Sequence, residues 1–247
     1  MKISKFMPLI LGGLLFAGGA LATPLIQPAN IEKIYVPFGF DNNDKTEVVV
    51  RGYLTTICEK VGLSGFEVNE EDKTIEVWVE SHFYQGDNLF CPLMIIPFME
   101  TIDVGVLPKG DYEVHVRGKP DVKESFPVAE ALTDAPDDFL YAPIDQAVVE
   151  ADPKTGVPTV TLKGTFPLWF DGCQVLSEVE SFMKPDNVLI VLPKTQLVDD
   201  ERCAAQTLSR QFSHTFQVTQ PMLTDSLLHV RVLNGKSLNQ MIRQIDL

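Results

Sequence analysis

The chain has 247 residues, 45% of them hydrophobic, with 20 Lys and Arg against 34 Asp and Glu for a formal net charge of −14. An acidic surplus of that size repels phosphate backbones and anionic lipid, which argues against nucleic acid as a ligand and favours a cationic protein partner or a divalent ion. Length and apolar content exclude a disordered chain and suit one large or two ordinary cores.

Residues 1–22 have the layout of a secretory signal peptide: Lys2 and Lys5 at the start, an apolar stretch at 8–17, and the small-residue site Ala20-Leu21-Ala22. Cleavage there would make Thr23 the first residue and remove two lysines and no acid, leaving 18 basic and 34 acidic side chains. The apolar run at 7–22 is shorter than the roughly 20 residues a bilayer core needs, and no later stretch approaches that length. No cysteine follows the site to take a lipid. The expectation is a secreted or periplasmic protein with no transmembrane segment after cleavage. The short leader and the lack of an Asn-x-Ser/Thr acceptor beyond it point to a bacterial source.

The first loop, "FDNNDKTE" at 40–47, gathers Asp41, Asn43 and Asp44 ahead of a strand. Oxygen-rich loops of this kind suit calcium, although Lys45 and Thr46 break the EF-hand pattern. Alternation then predicts a strand over 47–53. "VGLSGFE" at 61–67 has a nucleophile-elbow look but its second glycine comes one place early, so it reads as a surface turn. A second strand is expected over 74–80. "LFCPLMIIPFME" at 89–100 is nearly unbroken apolar sequence with two prolines and reads first as an interior strand, with a partner-binding surface as the alternative.

At 107–118, "LPKGDYEVHVRG", a Pro-Lys-Gly turn leads into strict alternation, with Tyr112, Val114 and Val116 on the buried face and Glu113, His115 and Arg117 on the other. This stretch, and more loosely 226–235, resembles the closing hairpin of immunoglobulin-like and fibronectin-type sandwich modules of exported bacterial proteins. The resemblance implies the fold alone. The cysteines are too close together, and Trp78 too far past Cys58, for the immunoglobulin pattern, so it transfers no functional residue.

Residues 119–143 carry four prolines and many acids and read as a linker. Its Asp137 and Asp138 could join Asp41, Asn43 and Asp44 around a calcium ion between domains. Beyond it, strands are expected over 157–164, 187–192 and 228–232, in an order matching the first half: strand, cysteine, strand, cysteine, strand. Ser237 could cap a C-terminal helix presenting Leu238, Met241, Ile242 and Ile245 on one face.

The expected fold is therefore all-β: two tandem antiparallel sandwiches, immunoglobulin-like, at 23–118 and 144–247, joined by the linker and ended by a short helix. Four cysteines in an oxidising compartment should form two disulfides, and of three pairings Cys58–Cys91 with Cys173–Cys203 keeps each bridge inside one repeat. Their spacing lacks the C-x-x-C form of a zinc site, and His82, His115, His214 and His229 lack metal spacing too. No catalytic or cofactor motif emerges. The functional expectation is a non-catalytic binding or assembly protein whose acidic surface meets a protein partner; the alternative is a secreted hydrolase whose carboxylates converge only in the fold.

Overall fold

The structure, a computed structural model, describes residues 23–86, 89–135, 137–152, 154–167, 173–185, 187–198, 209–218 and 225–242. The leader, Cys203, the acids at 199–201 and Ile245 lie outside the described residues. Among the described residues the elements are all strands: β1 Leu25–Pro28, β2 Asn30–Tyr35, β3 Thr46–Thr56, β4 Glu59–Asn69, β5 Thr74–Phe83, β6 Leu93–Gly105, β7 Gly110–Val116, β8 Lys119–Val128, β9 Gln146–Ala151, β10 Pro158–Thr165, β11 Cys173–Lys184, β12 Val188–Val198, β13 Gln211–Gln217, β14 Ser226–Val232 and β15 Lys236–Ile242. No described helix is long and apolar enough to cross a membrane.

The strands form four sheets. In the first half, β2-β3-β6 faces a sheet in which β5 carries β4 on one side and β1 and β7 on the other, with β8 outermost. In the second, β9-β10-β13 faces β11-β12-β14-β15. The strand order is the same in both halves. Each pair of sheets closes on its own core: Ile34, Val48, Val50 and Ile102 meet Val77, Val114 and Phe126 in the first, and Val160 and Leu162 meet Leu189, Val191, Leu228 and Val230 in the second.

Several expectations are corrected. The sheets are not purely antiparallel, because β5 pairs with β7 and β12 with β14 in parallel. The chain leaves β5 for β6 in the opposite sheet before returning as β7, so it re-enters in the same direction; β13 performs the same crossing before β14. Residues 119–128 are not linker but strand β8, paired along β7. The rest of that segment is no loose tether either: Tyr141 and Ala142 are buried, Asp41 bridges to Ala129, and Tyr141 bridges to Lys194.

No helix ends the described chain. Asn234 and Gly235 take positive φ of 68° and 63° in the turn between Val232 and Lys236, which folds β15 back along β14. Read with period two, β15 puts Leu238 and Ile242 against the second core and leaves Ser237, Asn239 and Met241 on its other face. Residues 61–67 are likewise not a turn but part of β4, where Gly62 and Gly65 make room for the His82 and Trp78 rings across the ladder.

Candidate functional site

The outer face of β2-β3-β6 is covered at its centre. Tyr35 and Val49 are fully buried against Val188, Ile190 and Leu227 of the second half, with Phe38, Met99, Leu192 and Met241 around them. The outer face of β2-β3-β6 thus packs on the outer face of β12-β14, giving four sheets in a stack. β12 and β14 are covered on both sides, which matches the unbroken apolar run at 188–192.

Two polar clusters lie in this junction. In one, Arg231, buried on β14, donates to Asp44 at 2.8 Å and to Asp137 at 2.7 Å, while Asp137 also accepts from the Gly235 N–H at 3.1 Å. Its guanidinium lies over the Phe40 ring at 4.7 Å. Burial pushes the Asp44 carboxyl up despite the pull of Arg231, and it raises Asp41 as well, opposed by the Asn43 N–H and reinforced by Asp44. Burial alone would lower Arg231, but Asp44 and its neighbours carry it up. Burial also pushes Tyr141, over which the guanidinium stands at 5.4 Å, up to about 12.

In the other cluster Glu47 accepts from Ser237 Oγ at 2.6 Å and Asn239 Nδ2 at 2.7 Å, and His229 Nδ1 stands 3.3 Å from it. Burial works to raise the Glu47 carboxyl, but the His229 bond and charge and the two hydrogen bonds take it below its ordinary range.

Of the acids singled out in the sequence, Asp44 and Asp137 meet on one guanidinium. Asp41 accepts from the Asn43 N–H at 3.0 Å, and Asp138 accepts from the Leu132 and Thr133 N–H groups, a turn-holding role. Among the described residues no group of three or more His, Cys, Asp or Glu is arranged to hold a metal ion. His229 is fully buried, whereas His115, at the equivalent place on β7, is partly exposed beside Glu76 at 3.8 Å. Cys58 and Cys91 are bridged. Cys173 opens β11 and is not free; Cys203 lies outside the described residues.

A cleft of about 1090 Å³ opens beside the junction, walled by Arg51, Tyr53, Phe98 and Met99 from β3 and β6 and by Val149, Gln240 and Met241 from β9 and β15. Arg51 is tied across its mouth to Asp225 at 2.8 Å, and Glu32 adds an acid to the rim. β6, β9 and β15 each stand at the end of their sheet's order. The sequence offered Phe98 and Met99 within the apolar run at 89–100 and Met241 on an expected helix face, but nothing in it joined them to Arg51, Tyr53, Val149 and Gln240, which come from points far apart in the chain.

Residues 89–96 are not interior, contrary to the first reading of that run. Phe90 and Leu93 are 83% and 89% exposed, and Leu89, Met94 and Ile95 are exposed beside them. The bridge to Cys58 occupies the place where burial was expected to hold this segment, and Pro92 breaks the run just before β6 starts.

A family described as the ORF11 beta-sandwich domain matches residues 48–128. The match runs from β3 to the end of β8, so this part of the chain is similar to a β-sandwich domain, in agreement with the two facing sheets. No curated protein and no solved structure matches the chain.

Proposed function

We propose that the protein is an exported, non-catalytic binding protein, two sandwich modules in series locked into one block, that takes up an extended segment of a cationic partner protein in the cleft between them. The observation that carries this reading is that three strands with a neighbour on one side only among the described residues, β6, β9 and β15, border a single cleft. An unpaired strand edge offers backbone N–H and C=O groups to an incoming strand, and the side-chain pockets beside it supply selectivity. Tyr53, Phe98 and Met99 give the cleft apolar wall, while Glu32 and Asp225 outnumber Arg51 on its rim. The acidic whole-chain field would speed the approach of a basic segment. The leader's layout supports export, to the periplasm or beyond.

The test places a photo-crosslinking side chain at Gln240, in the cleft, and at Glu71, at the β4–β5 turn. Exported fractions from the source cells should yield a crosslinked partner from position 240 and none from 71, with the yield falling as salt rises. Equal labelling at both positions, or labelling insensitive to salt, would refute the reading.

A further inference from the structure

We propose that the end of the first half carrying the Cys58–Cys91 bridge seats on a lipid bilayer surface. This surface is distinct from the cleft. β3 ends there at Thr56, β4 starts at Glu59, β5 ends at Phe83 and β6 starts at Leu93. The bridge ties the β3–β4 turn to the segment before β6, and the Phe90 carbonyl oxygen lies 3.8 Å from Cys58 Sγ. Phe90, Leu93, Met94, Ile57 and Leu25 are all exposed at this end. Isolated exposed apolar side chains are ordinary, but five gathered at one end of a sandwich form a patch that calls for a covering.

Charge decides which covering. Residues 89–99 contain no charged side chain, in a chain with 34 acids. At this end Glu59 is taken up by hydrogen bonds from Gln27 and Thr55, whereas at the other end Glu70, Glu71 and Asp72 crowd the β4–β5 turn and Asp111 lies near the start of the neighbouring β7. The half is therefore polarised from apolar to acidic. A leaflet would repel the acidic end and accept the apolar one, so the field that disfavours flat contact with lipid becomes an orienting force. A cationic protein, by contrast, would be drawn to the acidic end.

β1 adds Leu25 to the patch, because it pairs with Phe83 at this same end. Phenylalanine and leucine on a loop, held by a disulfide, can enter the headgroup boundary without any strand opening.

The test uses the chain from Thr23 onward, which contains every described strand and all three clusters of buried apolar residues. It should float with vesicles of phosphatidylcholine, keep doing so at high salt, and float less when phosphatidylglycerol is added. Phe90→Trp should shift its emission to the blue on mixing with the phosphatidylcholine vesicles. The double variant Phe90→Ser/Leu93→Ser, at exposed positions that leave the melting temperature unchanged, should lower the partition coefficient about tenfold or more. No flotation would overturn the proposal, as would flotation undiminished in the double variant. So would a dimer that the double variant dissolves while vesicles leave the emission of the Phe90→Trp variant unmoved, since the patch would then cover a second copy. A loss of crosslinking at Gln240 has no bearing on flotation, so the cleft reading and this one fail separately.

Discussion

A methyl group on Gly52 would run into the Asn30 carbonyl oxygen and the Phe98 ring, and one on Gly164 into the Pro143 carbonyl oxygen and the Phe212 ring. The same device stands at matching places on β3 and β10: a glycine lets an aromatic side chain from the neighbouring strand lie flat across it while another backbone passes close by. Backbone cannot move aside as a lysine tip can. Gly52→Ala and Gly164→Ala should therefore each cost about 2–3 kcal/mol, read as a fall of roughly 5–10 °C in melting temperature. Arg231→Met should cost more, about 3–5 kcal/mol, because it leaves Asp44 and Asp137 charged in the junction without a cation. That penalty should shrink as pH falls, since the Asp44 carboxyl, which burial already pushes up, can then take up a proton, and chemical denaturation at neutral and acid pH would show it. The Glu47 carboxyl is shifted the other way from that of Asp44, downward. Its folded carboxyl lies below the ordinary 4.5, so its stabilising share is complete above that value and is lost as pH drops through the lower folded one. Glu47→Gln should accordingly cost about 1–3 kcal/mol at neutral pH and nothing once the carboxyl of the unsubstituted protein is itself protonated. None of these residues announced its role. Alternation tells which side chains share a face, and not what covers that face.

β7 and β14 make the point at the level of the strand. "YEVHV" and "LHVRV" carry the same alternation and were legible as strands; both put valines into a core and a histidine on the other side. The histidine of β7 meets Glu76 and solvent, and that of β14 is sealed beneath Phe40, whose ring centre is 6.0 Å away. The sequence did hold a signal for the difference. β14's parallel neighbour, β12, opens with five apolar residues in a row, as strands covered on both faces do, whereas β7's neighbour, β5, alternates with Glu76 and Glu80. β15 was misread because Leu238, Met241 and Ile242 satisfy a helical spacing as well as a strand facing two ways, and the Asn234-Gly235 turn decides between them. Coverage on both faces should appear in hydrogen exchange. The amides of β12 and β14 should be the slowest in the protein, with those of β5 and β7 at least about tenfold faster, although topology gives the two pairs the same central position. The early β6 residues around Leu93 should exchange fastest among the sheet residues, having only the β3 ladder to protect them.

Across the whole molecule the question is whether the two halves behave as one body. The recurring alternation made an all-β chain legible; the contact between its halves was not, because it joins Tyr35 and Val49 to residues more than a hundred positions later, and sequence periodicity is local. Full burial of an aliphatic side chain is worth about 2 kcal/mol, so the five fully buried apolar residues of the junction supply on the order of 10 kcal/mol before the cost of fixing one half on the other, comparable with the net stability of a domain. Neither half should then melt alone, and calorimetry of the intact protein should give one transition. Val49 is the place to break the coupling. It belongs to the junction and to neither sandwich core, so Val49→Asp puts an unpaired charge between the halves while leaving Val48 and Val50 to hold the first core. The single transition should split in two. A variant that still melted in one step, only at lower temperature, would mean that the halves depend on each other through residues 129–143 and the Arg231 cluster instead of through the apolar face. Arg231→Met would then be the substitution that divides them.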